Sequence, residues 1–123
     1  MIGSLTTTPA YRTATSRWYM PRRYYSADSY QYLRGFAYAL SRDALRELLN
    51  SVDNYPGPIL DLGDIFLTSI IADYAGIPRH DSALFANYCG GNSCVLEASL
   101  AVECRDKNGS NAERMYRAWR QFD

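Results

Sequence analysis

The segment from Tyr30 to Gly76 constrains the fold most, because it carries one strand pattern followed by two helix patterns with clear ends. Aromatic residues, leucine and alanine surround Gly35, which predicts a buried strand over residues 30–40 with a close backbone approach at the glycine. Ser41 is a good N-cap for the first helix, whose predicted apolar face carries Leu45, Leu48, Leu49 and Val52. The sequence Asn54-Tyr55-Pro56-Gly57-Pro58 ends that helix.

A second helix is predicted to begin near Asp64 and to stop at Gly76-Ile77-Pro78. Its apolar stripe consists of Leu67, Ile70, Ile71 and Tyr74. Further along, residues 94–102 are a strand candidate, and a last helix from Ser110 would pack Ala112, Met115, Tyr116 and Trp119. This order of elements predicts an α/β arrangement that is incomplete.

The start of the chain carries weaker signals. Residues 1–16 are rich in Ser and Thr and lack periodicity, so we expect a poorly ordered N-terminal segment. Residues 17–25 mix aromatic side chains with a proline, which favours an extended edge segment. The length of 123 residues suits one domain, and we expect it to occupy residues 17–123.

Composition excludes some classes of function. Thirteen basic and thirteen acidic side chains cancel, which disfavours binding of nucleic acid. No stretch approaches the roughly 20 apolar residues of a membrane helix, and the first ten residues lack the features of a signal peptide. A membrane anchor is therefore expected only in a longer version of the protein.

Two motifs stand at a characteristic spacing. Tyr32, Gly35, Tyr38 and Ser41 fit the pattern Y-x-x-G-x-x-Y-x-x-S, and Asp64, Ile65, Phe66 and Thr68 fit most of E-D-V-[YF]-x-[GT], which follows about 25 residues later. In this the chain resembles the C-terminal half of the inverting β-1,3-glycosyltransferases, the galactosyltransferase-like family. The resemblance implies the acceptor-side half of a Rossmann-like glycosyltransferase domain of the GT-A type.

The resemblance also implies roles for individual residues. Asp64 stands where the family keeps its catalytic base, although Gly63 replaces the glutamate that usually precedes it. Trp18, Tyr32, Gly35 and Tyr38 would bind substrate. Asp64 has an alternative interpretation as a helix N-cap, and the aromatic residues one as strand packing.

Glu103 follows Cys94 by nine residues, where family members place a metal-binding histidine. Glutamate is a hard oxygen donor that can bind Mn²⁺, which would serve as cofactor in the complete enzyme. The alternative is a solvated side chain at the end of a strand. The D-x-D motif that binds the donor diphosphate through Mn²⁺ has no counterpart in the chain, and neither do the strands that precede it.

The resemblance therefore implies transfer of galactose or N-acetylglucosamine from a UDP-sugar donor to an acceptor glycan in β-1,3 linkage, on the lumenal side of the Golgi membrane. The alternative function is that of a non-catalytic remnant that binds carbohydrate or a partner protein. Both interpretations expect a chain that is incomplete as an enzyme.

The remaining candidates for chemistry are weaker. A zinc site of His80 with Cys89, Cys94 and Cys104 is disfavoured because the spacing lacks a C-x2-C pair. A Cys89–Cys94 or Cys94–Cys104 disulfide is expected in a lumenal chain, and free thiols in a cytosolic one. His80 is expected on an exposed loop. Asn108-Gly109-Ser110 is a glycosylation sequon that also suits a helix start.

Overall fold

A computed structural model describes residues 1–86 and 101–102 of the chain. Three strands form its main sheet: β1 (Ile2–Pro9), β2 (Ser29–Ala39) and β3 (His80–Asp81). Their order is β2-β1-β3, with β1 antiparallel to β2 and parallel to β3. The strand predicted over residues 30–40 is confirmed as β2, but the prediction that it is buried holds only for Tyr30 and Leu33.

The expectation of a poorly ordered segment over residues 1–16 is wrong for its first half, because Ile2–Pro9 is the middle strand of this sheet. The backbone of β1 pairs along most of β2 on one side and with β3 on the other. On the β3 side, the Leu5 amide also donates to Asp81 Oδ1 at 2.9 Å. Threonine is a good strand residue, so the Thr run suits this position once neighbouring strands supply the pairing.

The register between β1 and β2 shifts in the middle of the strands. Gly3 faces Tyr38 and Leu5 faces Leu33, so extra residues of β2 around Gly35 bulge out of the ladder. A bulge bends the strand and changes the direction of nearby side chains. This bulge brings β2 close to the second helical segment.

Helix α1 (Arg42–Asn54) begins at the predicted N-cap, where Ser41 Oγ accepts a hydrogen bond from the Ala44 amide at 3.2 Å. The predicted apolar face is only partly correct. Leu48 is buried and Val52 packs against the core, whereas Leu45 and Leu49 are exposed. The buried side of α1 runs instead through Ala44, Leu48, Ser51 and Val52, a spacing that places these four residues on one face.

The second helix is confirmed over residues 63–74, but it is not a regular α-helix. It consists of α2 (Gly63–Ile65), a π-helical stretch (Phe66–Ile71) and α3 (Ala72–Tyr74). We refer to these three parts together as the interrupted helix. Its end is the predicted one: Gly76 has φ of 65°, and the Ile77 amide donates to Ala72 O at 2.8 Å, which closes a Schellman motif.

Residues 10–28 form a loop of successive turns, so the extended edge segment predicted over residues 17–25 is wrong. The Tyr19 amide donates to Ser16 O and the Tyr24 amide to Pro21 O. Met20 is fully buried, and its carbonyl accepts a hydrogen bond from Arg12. The guanidinium of Arg12 also bonds Ala27 O and so ties the two ends of the loop together.

Two short strands, β4 (Phe85–Ala86) and β5 (Ala101–Val102), pair in parallel. The rest of the strand predicted over residues 94–102, the last helix, the three cysteines, the sequon and Glu103 lie outside the described residues. No helix in the described part is long and apolar enough to cross a membrane. The mixed α/β class is confirmed and is compatible with a partial domain, while the Rossmann-like arrangement stays a prediction.

Candidate active site

Gly35 and Asp64, one from each of the two sequence motifs, are in direct contact. A Cβ atom added to Gly35 would lie 2.9 Å from Asp64 Oδ2 and 3.0 Å from Asp64 Cβ. These distances are shorter than van der Waals contact, so only glycine fits here without displacing the carboxylate. The predicted close approach at Gly35 is confirmed, and its partner is the candidate catalytic residue.

The carboxylate of Asp64 has two distinct oxygens. Oδ1 accepts a hydrogen bond from the Ile65 amide at 3.0 Å. Oδ2, the oxygen nearest to Gly35, accepts no hydrogen bond from the described residues. One oxygen is thus fixed by the backbone, while the other lies against Gly35 without a hydrogen-bond donor among the described residues.

The interpretation of Asp64 as a helix N-cap is wrong. The N-cap of α2 is Leu62, and Asp64 is the second residue of the helix. Asp64 therefore lies within the first turn of the helix rather than at its cap.

Two tyrosines of β2 lie within electrostatic range of Asp64. Burial, followed by the nearby Asp64 charge, raises the pKa of Tyr38 above its ordinary value. Burial, together with Tyr32, Tyr11, Asp64 and Tyr25, raises the pKa of Tyr30 to about 12. Both phenols therefore stay protonated at physiological pH and can donate hydrogen bonds.

Tyr32 and Trp18, two of the predicted substrate-binding residues, contact other aromatic side chains. Tyr32 is half-buried, with its ring centroid 5.4 Å from that of Tyr30. Trp18 is 47% exposed on the 10–28 loop, where it packs against Tyr11 at 5.8 Å and the Arg17 guanidinium lies 4.9 Å above its ring. Tyr11 also contributes to the raised pKa of Tyr30.

A cleft of about 330 Å³ opens beside the start of the interrupted helix. The 10–28 loop contributes Arg17, Tyr19 and Tyr24 to its wall, and the segment before α2 contributes Leu60, Asp61 and Leu62. This volume is at the lower end of the range for small-molecule sites, roughly 300–1,000 Å³. Aromatic rings together with charged groups suit a sugar, which offers apolar faces and hydroxyls.

The sequence pattern of the galactosyltransferase family matches residues 1–83. The chain belongs to the galactosyltransferase family. The match includes β1, β2, the interrupted helix and β3, and therefore both Gly35 and Asp64. No curated protein and no solved structure shows significant similarity to the chain.

Membership of the galactosyltransferase family supports glycosyl transfer in general, and with it the binding of a sugar donor and an acceptor.

The described residues hold no group of three or more His, Cys, Asp and Glu side chains that could bind a metal ion. Glu103, the candidate ligand for the Mn²⁺ that the galactosyltransferase resemblance implies, lies outside the described residues. His80 is exposed as predicted, although it lies in β3 rather than in a loop.

Three residues near the site were not assigned roles from the sequence. Tyr30 shares a strand with Tyr32 at a spacing of two, which is a signal that could have placed it on the same face. Thr68 belongs to the galactosyltransferase motif, but the hydrogen bonds of its hydroxyl to Leu33 and Asp64 are visible only in the structure. Arg79 gives no sequence signal, because its contacts depend on the irregular helix.

Proposed function

We propose that this chain is the acceptor-side part of an inverting hexosyltransferase with Asp64 as its general base. The observation that supports this most is the position of the Asp64 carboxylate, which has one oxygen fixed by the Ile65 amide and the other held against Gly35. Family membership supplies the reaction class, and the motif match supplies the residue.

In the proposed reaction, an acceptor hydroxyl attacks the anomeric carbon of the donor sugar. The new bond joins that carbon to the acceptor oxygen, the bond to the diphosphate breaks, and the configuration at the carbon inverts. Asp64 Oδ2 takes the hydroxyl proton as the attacking oxygen bonds, a role that a positioned carboxylate can perform. Oδ1 keeps its hydrogen bond to Ile65, which holds the carboxylate in one orientation.

The acceptor glycan is proposed to enter along the cleft between the 10–28 loop and Leu62. Leu62 precedes Asp64 by two residues, so a sugar in the cleft would present its hydroxyls near the base. Tyr38, Tyr32 and Trp18 are the proposed aromatic and hydroxyl contacts for substrate. Gly35 contributes by leaving room for the carboxylate.

The donor is proposed to be a UDP-sugar that carries galactose or N-acetylglucosamine, transferred in β-1,3 linkage during protein glycosylation at the lumenal side of the Golgi membrane. Mn²⁺ would neutralise the departing diphosphate in the complete enzyme. Glu103 is the proposed contribution of this chain to the metal site.

The test replaces Asp64 with asparagine in a longer protein that also carries a nucleotide-binding half. Asp64→Asn keeps the size of the side chain and the Oδ1 acceptor, but it cannot take a proton. Turnover of UDP-galactose and UDP-N-acetylglucosamine should fall by about 10²-fold or more. Binding of UDP, measured by calorimetry, should stay within about twofold, because the phosphates are held elsewhere.

Asp64→Ala is the matched control for a structural role. It removes the bond to Ile65 as well as the base, so it should lose the same activity and up to about 1 kcal/mol of stability. Wild-type turnover in Asp64→Asn would exclude Asp64 as the base and leave it a structural residue of the helix start.

The alternative is a chain that binds carbohydrate without catalysis. One observation favours it: the described cleft is formed by residues of this chain alone. Saturation-transfer NMR with β-galactosides and β-N-acetylglucosaminides would detect such binding in the 123-residue chain. Binding by this chain, with no activity in the longer protein, would select this alternative.

A further inference from the structure

The buried hydroxyl of Thr68 links β2 to the backbone of Asp64. Thr68 is fully buried, and its Oγ1 accepts a hydrogen bond from the Leu33 amide at 2.9 Å. The same hydroxyl lies 2.7 Å from Asp64 O and 3.2 Å from Leu33 O, so its single proton goes to the nearer carbonyl, that of Asp64. Leu33 is two residues before Gly35, so this bridge joins the two segments whose contact places the carboxylate.

The Thr68 side chain reaches that position from a π-helical stretch, Phe66–Ile71. A π-turn interrupts the regular four-residue pairing of amides and carbonyls in a helix, and such turns are often found at functional sites. The Ala72 amide, for example, donates to Leu67 O, five residues earlier. Hydrogen bonds from outside the helix can hold such an irregular stretch in one conformation.

Arg79 provides these bonds from the segment that leads into β3. Its Nη1 donates to Thr68 O at 2.9 Å and to Ser69 O at 3.2 Å, while its Nη2 donates to the Asp73 carboxylate. Only 12% of the Arg79 side chain is exposed. The planar guanidinium fork can reach these three acceptors at once, which a lysine ammonium cannot do in the same geometry.

We propose that Arg79 and Thr68 are positioning residues for Asp64: Arg79 holds the π-helical stretch, and Thr68 then fixes the Asp64 backbone to β2, so that the carboxylate stays against Gly35. The functional meaning of this inference rests on the proposed role of Asp64 as the base. The positioning itself concerns only the described residues and is measured without catalysis.

The experiment measures NOE intensity between Gly35 Hα and Asp64 Hβ in the labelled 123-residue chain. Thr68→Val removes the hydroxyl at nearly constant shape, and Thr68→Ser keeps it. Arg79→Lys keeps the charge but loses the fork, and Arg46→Lys, in an exposed pair with Asp43, is the matched control. We expect the NOE to fall to about half or less in Thr68→Val and Arg79→Lys, and to persist in Thr68→Ser and Arg46→Lys.

Amide exchange gives a second readout. The Leu33 amide should exchange about tenfold faster in Thr68→Val, because its acceptor is lost, and at nearly the wild-type rate in Thr68→Ser. The Met20 amide, which donates to Tyr11 O, serves as a reference distant from this network. If Thr68→Val does not fold, Arg79→Lys and Thr68→Ser still decide the outcome.

An unchanged NOE in Arg79→Lys, or in a folded Thr68→Val, would overturn the proposal. Failure of the base assignment would give a different result, namely full turnover in Asp64→Asn with the NOE effects still present. The two failures are therefore distinguishable.

Discussion

Replacement of Gly35 by alanine tests the contact on which the candidate site depends. The added Cβ would lie 2.9 Å from Asp64 Oδ2, 3.0 Å from its Cβ and 3.1 Å from its Cγ. Ordinary carbon contacts begin at roughly 3.5 Å, so the Asp64 side chain must retreat by about half an ångström. Rotation of the carboxylate relieves the contact with Oδ2, but the contact with Asp64 Cβ requires the backbone to move.

The expected cost follows from this geometry. Overpacking by one methyl group in a well-packed site costs about 1–3 kcal/mol. Gly76 is the only described glycine with positive φ, so backbone conformation adds no strain at Gly35. In a domain of this size, each kcal/mol of lost stability lowers the melting temperature by about 4 °C. We therefore expect Gly35→Ala to melt about 4–12 °C below the wild type.

The assay is thermal unfolding followed by circular dichroism, with Gly63→Ala as matched control. Gly63 is the first residue of α2, and a Cβ there would meet nothing within 4 Å. That substitution should therefore stabilise the chain by about 0.5–1 kcal/mol, because alanine is the better helix residue.

A double mutant cycle that combines Gly35→Ala with Asp64→Ala measures the interaction energy between these two positions. Asp64→Ala removes Oδ2 and Cγ, so it should recover part of the loss and give a coupling of about 0.5 kcal/mol or more. If Gly35→Ala melts with the wild type, or if the two substitutions are additive, the contact between Gly35 and Asp64 does not exist as described.

Two further predictions concern titration and capping. Because burial raises the pKa of Tyr30 to about 12 from 10.0, the folded chain keeps a proton that the unfolded chain loses between these values. The free energy of unfolding should therefore fall as pH rises from 10 towards 12, by up to about 1.4 kcal/mol per pH unit from this group. Urea unfolding at a series of pH values should show a shallower decline for Tyr30→Phe than for the wild type. Equal dependence of the unfolding free energy on pH in the two proteins would contradict the assignment. Ser41→Ala should cost about 1 kcal/mol and Ser41→Asp much less, since Ser41 Oγ accepts from the Ala44 amide; equal melting of the two variants would contradict the cap.

The parts of the fold that sequence predicts well are those whose signals are local. Ser41, the leucine spacing and the Pro-Gly-Pro turn predict α1, and Gly76 predicts the end of the interrupted helix. Strand β2 follows from its aromatic residues. In each case the residues that decide the structure lie within a few positions of each other.

The parts that sequence misses depend on distant partners. Residues 2–9 lack apolar alternation, and they become a strand because β2 and β3 pair with them on both sides. Leu45 and Leu49 fit an apolar stripe by spacing, yet the core meets the side of α1 that carries Leu48 and Val52. The spacing of apolar residues, compared with the 3.6-residue period of an α-helix, does not distinguish a π-helical stretch.

The candidate site divides in the same way. The motifs selected Gly35 and Asp64, and the structure brings these two into contact. The helix-cap alternative for Asp64 depended on where the helix begins, a boundary that sequence leaves uncertain by a few residues. Thr68 and Arg79 act through hydrogen bonds across 35 and 11 residues, and residue type alone does not signal such bonds.

The place of β1 in the sheet has a consequence for the order of events during synthesis. Strand β1 is synthesised before both of its partners, β2, which begins at Ser29, and β3, which begins at His80. Contacts of such long range form slowly, because the intervening chain must first be brought together. One edge of β1 therefore stays open until His80, the partner of Ile2, has been made, and in this interval another nascent chain can add to it.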